Sequence, residues 1–169
     1  MANTSTQTHA IERSYVETGL SYQSAVDRFE AAVGRIDQKT VGALAARAAP
    51  WPEVEGAIAT MTGPSGLMIV ALADQGAITS LAGVAIRCRL YLVGNPVIAA
   101  QIFKIDVRAA LYVPFRVAIH EAAGTSGAMI SFDRPSSFLG ALDRPELQPI
   151  GVMLDRKIDA VVQSILRPS

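Results

Sequence analysis

The sequence predicts an α+β fold, a two-layer sandwich of a mixed, mostly antiparallel sheet covered by helices. Three observations lead there. Segments 112–121 and 128–132 alternate apolar and polar residues on either side of a short Gly-containing loop, the pattern of a β-hairpin. The run Leu67–Leu72 is continuously apolar, of strand length, and preceded by the turn cluster Gly63, Pro64, Ser65, Gly66, as expected of a buried central strand. Leu147, Ile150, Leu154, Ile158, Val161 and Ile165 step by three or four. They form one apolar stripe of a closing helix, with Asp155, Arg156, Lys157 and Asp159 on its wet side.

The remaining elements follow in order. Residues 1–10 are rich in Thr, Ser, Gln and Asn and read as a flexible terminus, with one domain over 11–166. Ile11–Glu17 reads as a strand, since Tyr15 and Val16 favour extended structure, and Gly19 ends it. Ser21 suits an N-cap, and Val26, Phe29, Ala32 and Val33 recur at helical spacing, which predicts a helix over Tyr22–Gly34. Thr40 is placed to cap a short helix, Val41–Ala48, which Pro50 and Pro52 terminate. Glu53–Met61 reads as another. Gly76–Gly83 is a connector of one or two helical turns. Arg87–Val93 is a strand, and Val97, Ile98, Ile102 and Phe103 lie on the helix after it.

Composition narrows the function classes. The chain has 169 residues, one ordinary domain, able to bury a core without disulfides. Half of it is apolar and its mean hydropathy is +0.31, which fits either an Ala- and Val-rich core or a homodimer interface. Fifteen basic residues balance fifteen acidic ones without any run of like charge. Neither nucleic acid nor an anionic membrane surface finds the concentrated basic face it needs. A single cysteine, Cys88, forbids an internal disulfide and fits a reducing compartment. The polar start is unlike a signal peptide, and the longest apolar run is far short of a bilayer span, so the expected location is cytoplasmic.

A further signal lies in the order of motifs. Tyr91, Leu92, Val93, Gly94, Asn95 and Pro96 lead into a helix, followed by Asp106, Val107 and Arg108, then Leu111–Val117 with Pro114 and Arg116. His120 and Glu121, a Gly-containing turn, Ile130–Pro135 and a closing helix with Met153, Leu154 and Asp155 complete the series. This order resembles the domain of unknown function 302 family, best over Leu90–Val162. The resemblance implies a compact two-layer α/β fold, often dimeric, with no established activity. Residues 36–66 are longer than the family's usual link. Where relatives often carry an Asp-His pair after the second strand, this chain has Ala73, Asp74, Gln75 and Gly76.

Candidate site residues are few. Asn95 can cap the helix that Pro96 begins, or that helix start can present free N–H groups to an anion. Arg116 and His120 lie on one face of their strand, ~13 Å apart by strand rise. They line a solvated face or flank a ligand, and Glu121 points to the opposite side, so His120 and Glu121 are not a prepared acid–base pair. Asp106 with Arg108 reads as a structural ion pair, and Asp133 as a cap or turn residue. Cys88, between Arg87 and Arg89, reads as an inert thiol because its neighbours face away. No metal-ligand spacing and no cofactor fingerprint is present. Trp51, between two prolines, either plugs the core or meets a partner. Besides a purely structural or regulatory partner of another protein, two functions stay open. One is a dimeric module binding a small ligand or partner near Asn95, Arg116 and His120. The other is an enzyme on a small anionic substrate, with Arg116 as anchor and His120 as proton carrier.

Overall fold

The protein is described by a computed structural model covering residues 4–121 and 127–167. Its elements are β1 (Arg13–Glu17), α1 (Tyr22–Ala32), β2 (Gly34–Arg35), α2 (Gln38–Ala46), α3 (Trp51–Met61), β3 (Met68–Asp74), α4 (Gln75–Thr79), β4 (Arg87–Gly94), α5 (Pro96–Ile105), β5 (Phe115–Glu121), β6 (Met129–Asp133), α6 (Pro135–Gly140) and α7 (Gln148–Leu166). Short 3₁₀ turns follow α4 and α5 and precede α7. The fold is the expected α+β class. Six strands run in the order β1-β6-β5-β4-β3-β2, antiparallel throughout except for β2 beside β3.

Alternation on β5 divides the sheet. Phe115, Val117 and Ile119 are buried, and they join Tyr91 and Val93 of β4 and Ile130 and Phe132 of β6 in one core. Helices α1 and α7 cover that face. Tyr22, Ala25, Val26 and Phe29 come from α1, and Leu154, Ile158, Val161, Val162 and Ile165 come from α7. Phe29 meets Tyr91 with ring centroids 4.9 Å apart. The wet rim of this layer is ordered by charge. The Tyr91 hydroxyl donates to Glu30 Oε1 at 2.9 Å, and Arg89 bridges Glu30 and Asp74 at 3.3 Å each. Burial first, and then the hydrogen bond to Glu30, push the Tyr91 phenol above its ordinary range.

Several local expectations shift. Helix α2 starts at Gln38 under an Asp37 cap, because Asp37 Oδ1 accepts from Lys39 N at 2.9 Å while the Thr40 hydroxyl donates to the same carboxylate. Helix α3 begins at Trp51, which stays 44% exposed. Helix α1 stops at Ala32, and Gly34–Arg35 form a short strand that no periodicity could disclose. The alternation at Tyr112–Pro114 is not strand. The N–H groups of Tyr112 and Val113 both turn back to Ala109 O, and Pro114 has none to offer. Asp133 is no cap: it ends β6 and is 7% exposed. Residues 122–126 of the expected hairpin loop lie outside the described residues.

Candidate functional site

The face of the sheet opposite the core carries the residues that could meet a ligand. Directly opposed residues in neighbouring strands point to the same side. Leu92 therefore stands beside Arg116, Leu90 and Ser131 beside Ala118, Cys88 and Met129 beside His120, Tyr15 beside Ser131, and Arg13 beside Asp133. On β3, Ala71 and Ala73 continue the same face opposite Leu92 and Leu90. Tyr15, Ala71, Ala73 and Arg116 are exposed, and Leu90, Leu92, Ala118, His120 and Ser131 are half-buried. An antiparallel sheet tolerates one solvated face, and this one is solvated along its middle.

Its polar half centres on Asp133. Arg13 donates to the two carboxylate oxygens from Nε at 2.6 Å and Nη2 at 3.2 Å, a forked geometry that orients both groups. Arg116 reaches the same carboxylate from Nη2 at 3.4 Å and keeps a side chain 64% exposed. Two cations thus share one anion, and Arg116 is the more loosely held. Arg116 and Asp133 line a cleft of about 530 Å³ with Leu92, Tyr112, Phe138 and His9. His9 Nε2 lies 3.1 Å from the Tyr112 hydroxyl, and the Tyr112 ring stacks on Phe138 at 5.5 Å. The volume falls in the range of small-molecule sites.

The other two expected residues sit elsewhere. His120 shares the face with Arg116 but lies beyond Ala118, and its Nε2 is 2.9 Å from Ser131 Oγ on β6. A Ser–His hydrogen bond is the first requirement of an activated nucleophile. Among the described residues, however, no carboxylate orients the other ring nitrogen, and the strands' N–H groups are engaged in the ladder rather than aimed at an oxyanion. Asn95 is a cap: its Oδ1 accepts from Val97 N at 2.8 Å and its Nδ2 donates to Gly66 O at 2.9 Å. Pro96 has no N–H, so little of the start of α5 is left for an anion. Of the three, the cleft takes in Arg116 and neither Asn95 nor His120. Nothing local in the sequence marks Arg13, Asp133, Tyr112 or Ser131 as ligand-facing. Alternation along β1 would have grouped Arg13 with Tyr15, but their partners lie over a hundred residues away.

Two further groups are structural. Cys88 faces Gln75 Oε1 at 3.5 Å, and burial first, then the charge of Asp74, push its thiol up, so it stays protonated near neutrality. Asp106 accepts from the Arg108 guanidinium at 2.6–3.1 Å, from Arg108 N at 2.9 Å and from Arg144 at 3.3 Å, which pins the end of α5 to the segment before α7. The side-chain and backbone bonds from Arg108 hold the Asp106 carboxyl well below its ordinary 3.8. A carboxyl with a lowered folded pKa stabilises the fold above that ordinary value, and the contribution fades as pH falls toward the folded value. Asp106→Asn is therefore expected to melt earlier than wild type at neutral pH, with the gap narrowing progressively as the pH falls below about 4. Thermal melts across that range check it.

Among the described residues no three His, Cys, Asp or Glu side chains gather to hold a metal, and no helix is long and apolar enough to cross a membrane. The family model "Domain of unknown function DUF302" matches residues 43–165, well over half of the chain. The chain belongs to the DUF302 family. A solved structure, the uncharacterized conserved DUF302 protein from Bacillus stearothermophilus, is similar with a TM-score of 0.63 at 14% identity, covering 90% of this chain and 97% of that one. At that identity the likeness speaks for the DUF302 fold alone. No curated protein matches the chain.

Proposed function

We propose that this DUF302 protein is a homodimeric binding module that takes a small organic anion on the open sheet face, with Arg116 as its anchor. The observation that carries this reading is the Arg13–Asp133–Arg116 cluster. It holds an excess cation, mostly exposed, at the edge of a ligand-sized cleft with apolar walls. A guanidinium offers a planar fork to a carboxylate or phosphate, and Leu92, Tyr112 and Phe138 offer an apolar bed to the rest of the molecule. The apolar half of the same face beyond the cleft, Ala71, Ala73 and Leu90, suits a second copy of the chain. In the helical turns that follow β3, Ile78 and Leu81, 73% and 89% exposed, add apolar surface that a monomer would leave in water. The lone cysteine accords with work in the cytoplasm.

The test is a thermal-shift screen with small carboxylic acids and phosphate monoesters. A ligand that binds only the folded state raises Tm in proportion to the logarithm of its concentration. At least one acid is expected to raise the Tm of wild type, and Arg116→Gln is expected to abolish the rise. An equal rise in Arg116→Gln, or none with any acid, would refute the reading. The His120–Ser131 contact motivates a second reading, an enzyme on such an anion with His120 moving the proton. Turnover of a bound acid that His120→Ala removes would establish it.

A further inference from the structure

A second cavity, separate from the open face, lies between α5 and the ends of β3, β4 and β5. Its volume is about 190 Å³. Val70, Ile98, Ile102, Phe103, Val113 and Phe115 form most of its wall, Leu154 of α7 and Ile36 before α2 complete the lining, and on the side of Phe103, itself 38% exposed, it opens to solvent. Left without an occupant, so apolar a pocket keeps lining atoms that lack packing partners on its open side. Its lining offers water few of the two to four polar partners that an ordered water needs. Asn95 is the polar side chain on its wall, and both its amide atoms are occupied by Val97 N and Gly66 O.

The backbone contributes to the shape. In β3, Ile69 and Ala71 take successive partners on β4, leaving Val70 as an extra residue at a bulge. A bulge re-aims a side chain out of the regular alternation. Here Val70 joins the cavity wall, while Ile69 beside it stays in the core.

We infer that this cavity is a binding site for a small uncharged hydrocarbon-like molecule, one ring with a short alkyl tail. Size sets the scale, since roughly 150 Å³ of apolar space admits benzene and this pocket is somewhat larger. Chemistry sets the class: an ionised group would leave its charge against hydrocarbon without a partner. The site is thus opposite in character to the Arg116 cleft, although Pro114 and Phe115 form part of both walls.

The experiment is an NMR titration of the full chain with propylbenzene, with benzoate as the charged counterpart. Propylbenzene is expected to shift the signals of Ile98, Ile102, Val113 and Phe115 and to give nuclear Overhauser contacts to the Ile102 methyls; benzoate is expected to give no such contacts. Ala99→Leu, which adds bulk on the lining of α5, is expected to weaken propylbenzene binding at least tenfold while melting no lower than wild type. Should Ala99→Leu fail to fold, Val70→Phe serves the same purpose. Absence of contacts to Ile102 in wild type up to the solubility of propylbenzene would overturn the inference. So would undiminished binding in a folded cavity-filling variant.

Discussion

Gly34→Ala is expected to destabilise the protein by at least about 3 kcal/mol, the upper end of overpacking costs, and to lower Tm by roughly 6–12 °C for a chain of this size. At Gly34 the junction of α1 with β2 crosses the junction of α3 with β3. A Cβ there would stand 2.6 Å from Gly63 N and 2.7 Å from the Thr62 carbonyl carbon, and closer still to Met61 O. All three are backbone atoms, so no side chain can swing aside. The crossing is reciprocal, since a Cβ on Gly63 would meet Gly34 N at 2.6 Å and Ala32 O at 2.7 Å. Separating the two chains would pull Gly34 N off Leu67 O, a 3.0 Å bond, and with it the pairing of β2 and β3. Gly42→Ala and Gly56→Ala are the controls. Both sit inside helices with open space around the missing methyl, and each is expected to stabilise by roughly 0.5–1 kcal/mol. Thermal and denaturant melts of the three variants measure the contrast.

Ala73→Glu is expected to halve the particle mass. In solution, wild type should scatter as about twice the 17.9 kDa chain and the variant as one chain. Ala73 is exposed and stands opposite Leu90 in the apolar half of the open face. A carboxylate there costs a lone subunit little, because water reaches it. In a two-fold interface the same residue occurs on both copies, so each dimer would bury two unpaired charges. Unchanged melting of the variant monomer, read by circular dichroism, separates loss of pairing from loss of fold. A wild type that scatters as a single chain would contradict the dimer, as would a dimer indifferent to this charge.

What could be read from the sequence was what has a local period. The alternation of Phe115, Val117 and Ile119 and the stripe from Leu147 to Ile165 are imposed by burial on one side of a regular element, so both show in the residues themselves. The two-residue β2 has no period; it exists because two glycines let the chain cross. Tyr112–Pro114 imitates a strand in composition, yet its N–H groups belong to the preceding turn. The site follows the same division. That Arg116 and His120 share a face follows from alternation alone. The carboxylate that orients Arg116 does not, because Asp133 is brought to it by pairing across two strands and shared with Arg13 near the other end of the chain. Asn95 carries a motif for which a cap is sufficient explanation and an anion site the alternative, and its hydrogen bonds to Val97 and Gly66 make it a cap.

The most direct test of the open sheet face as the working surface is where a bound acid sits. With the most strongly stabilising acid added stepwise to labelled protein, the largest amide shifts are expected at Arg116, Ala118, Ser131 and Asp133. The amides of Asn95–Ala99 at the start of α5 should stay in place. Shifts concentrated at the start of α5, with Arg116 and Ser131 unmoved, would contradict the account.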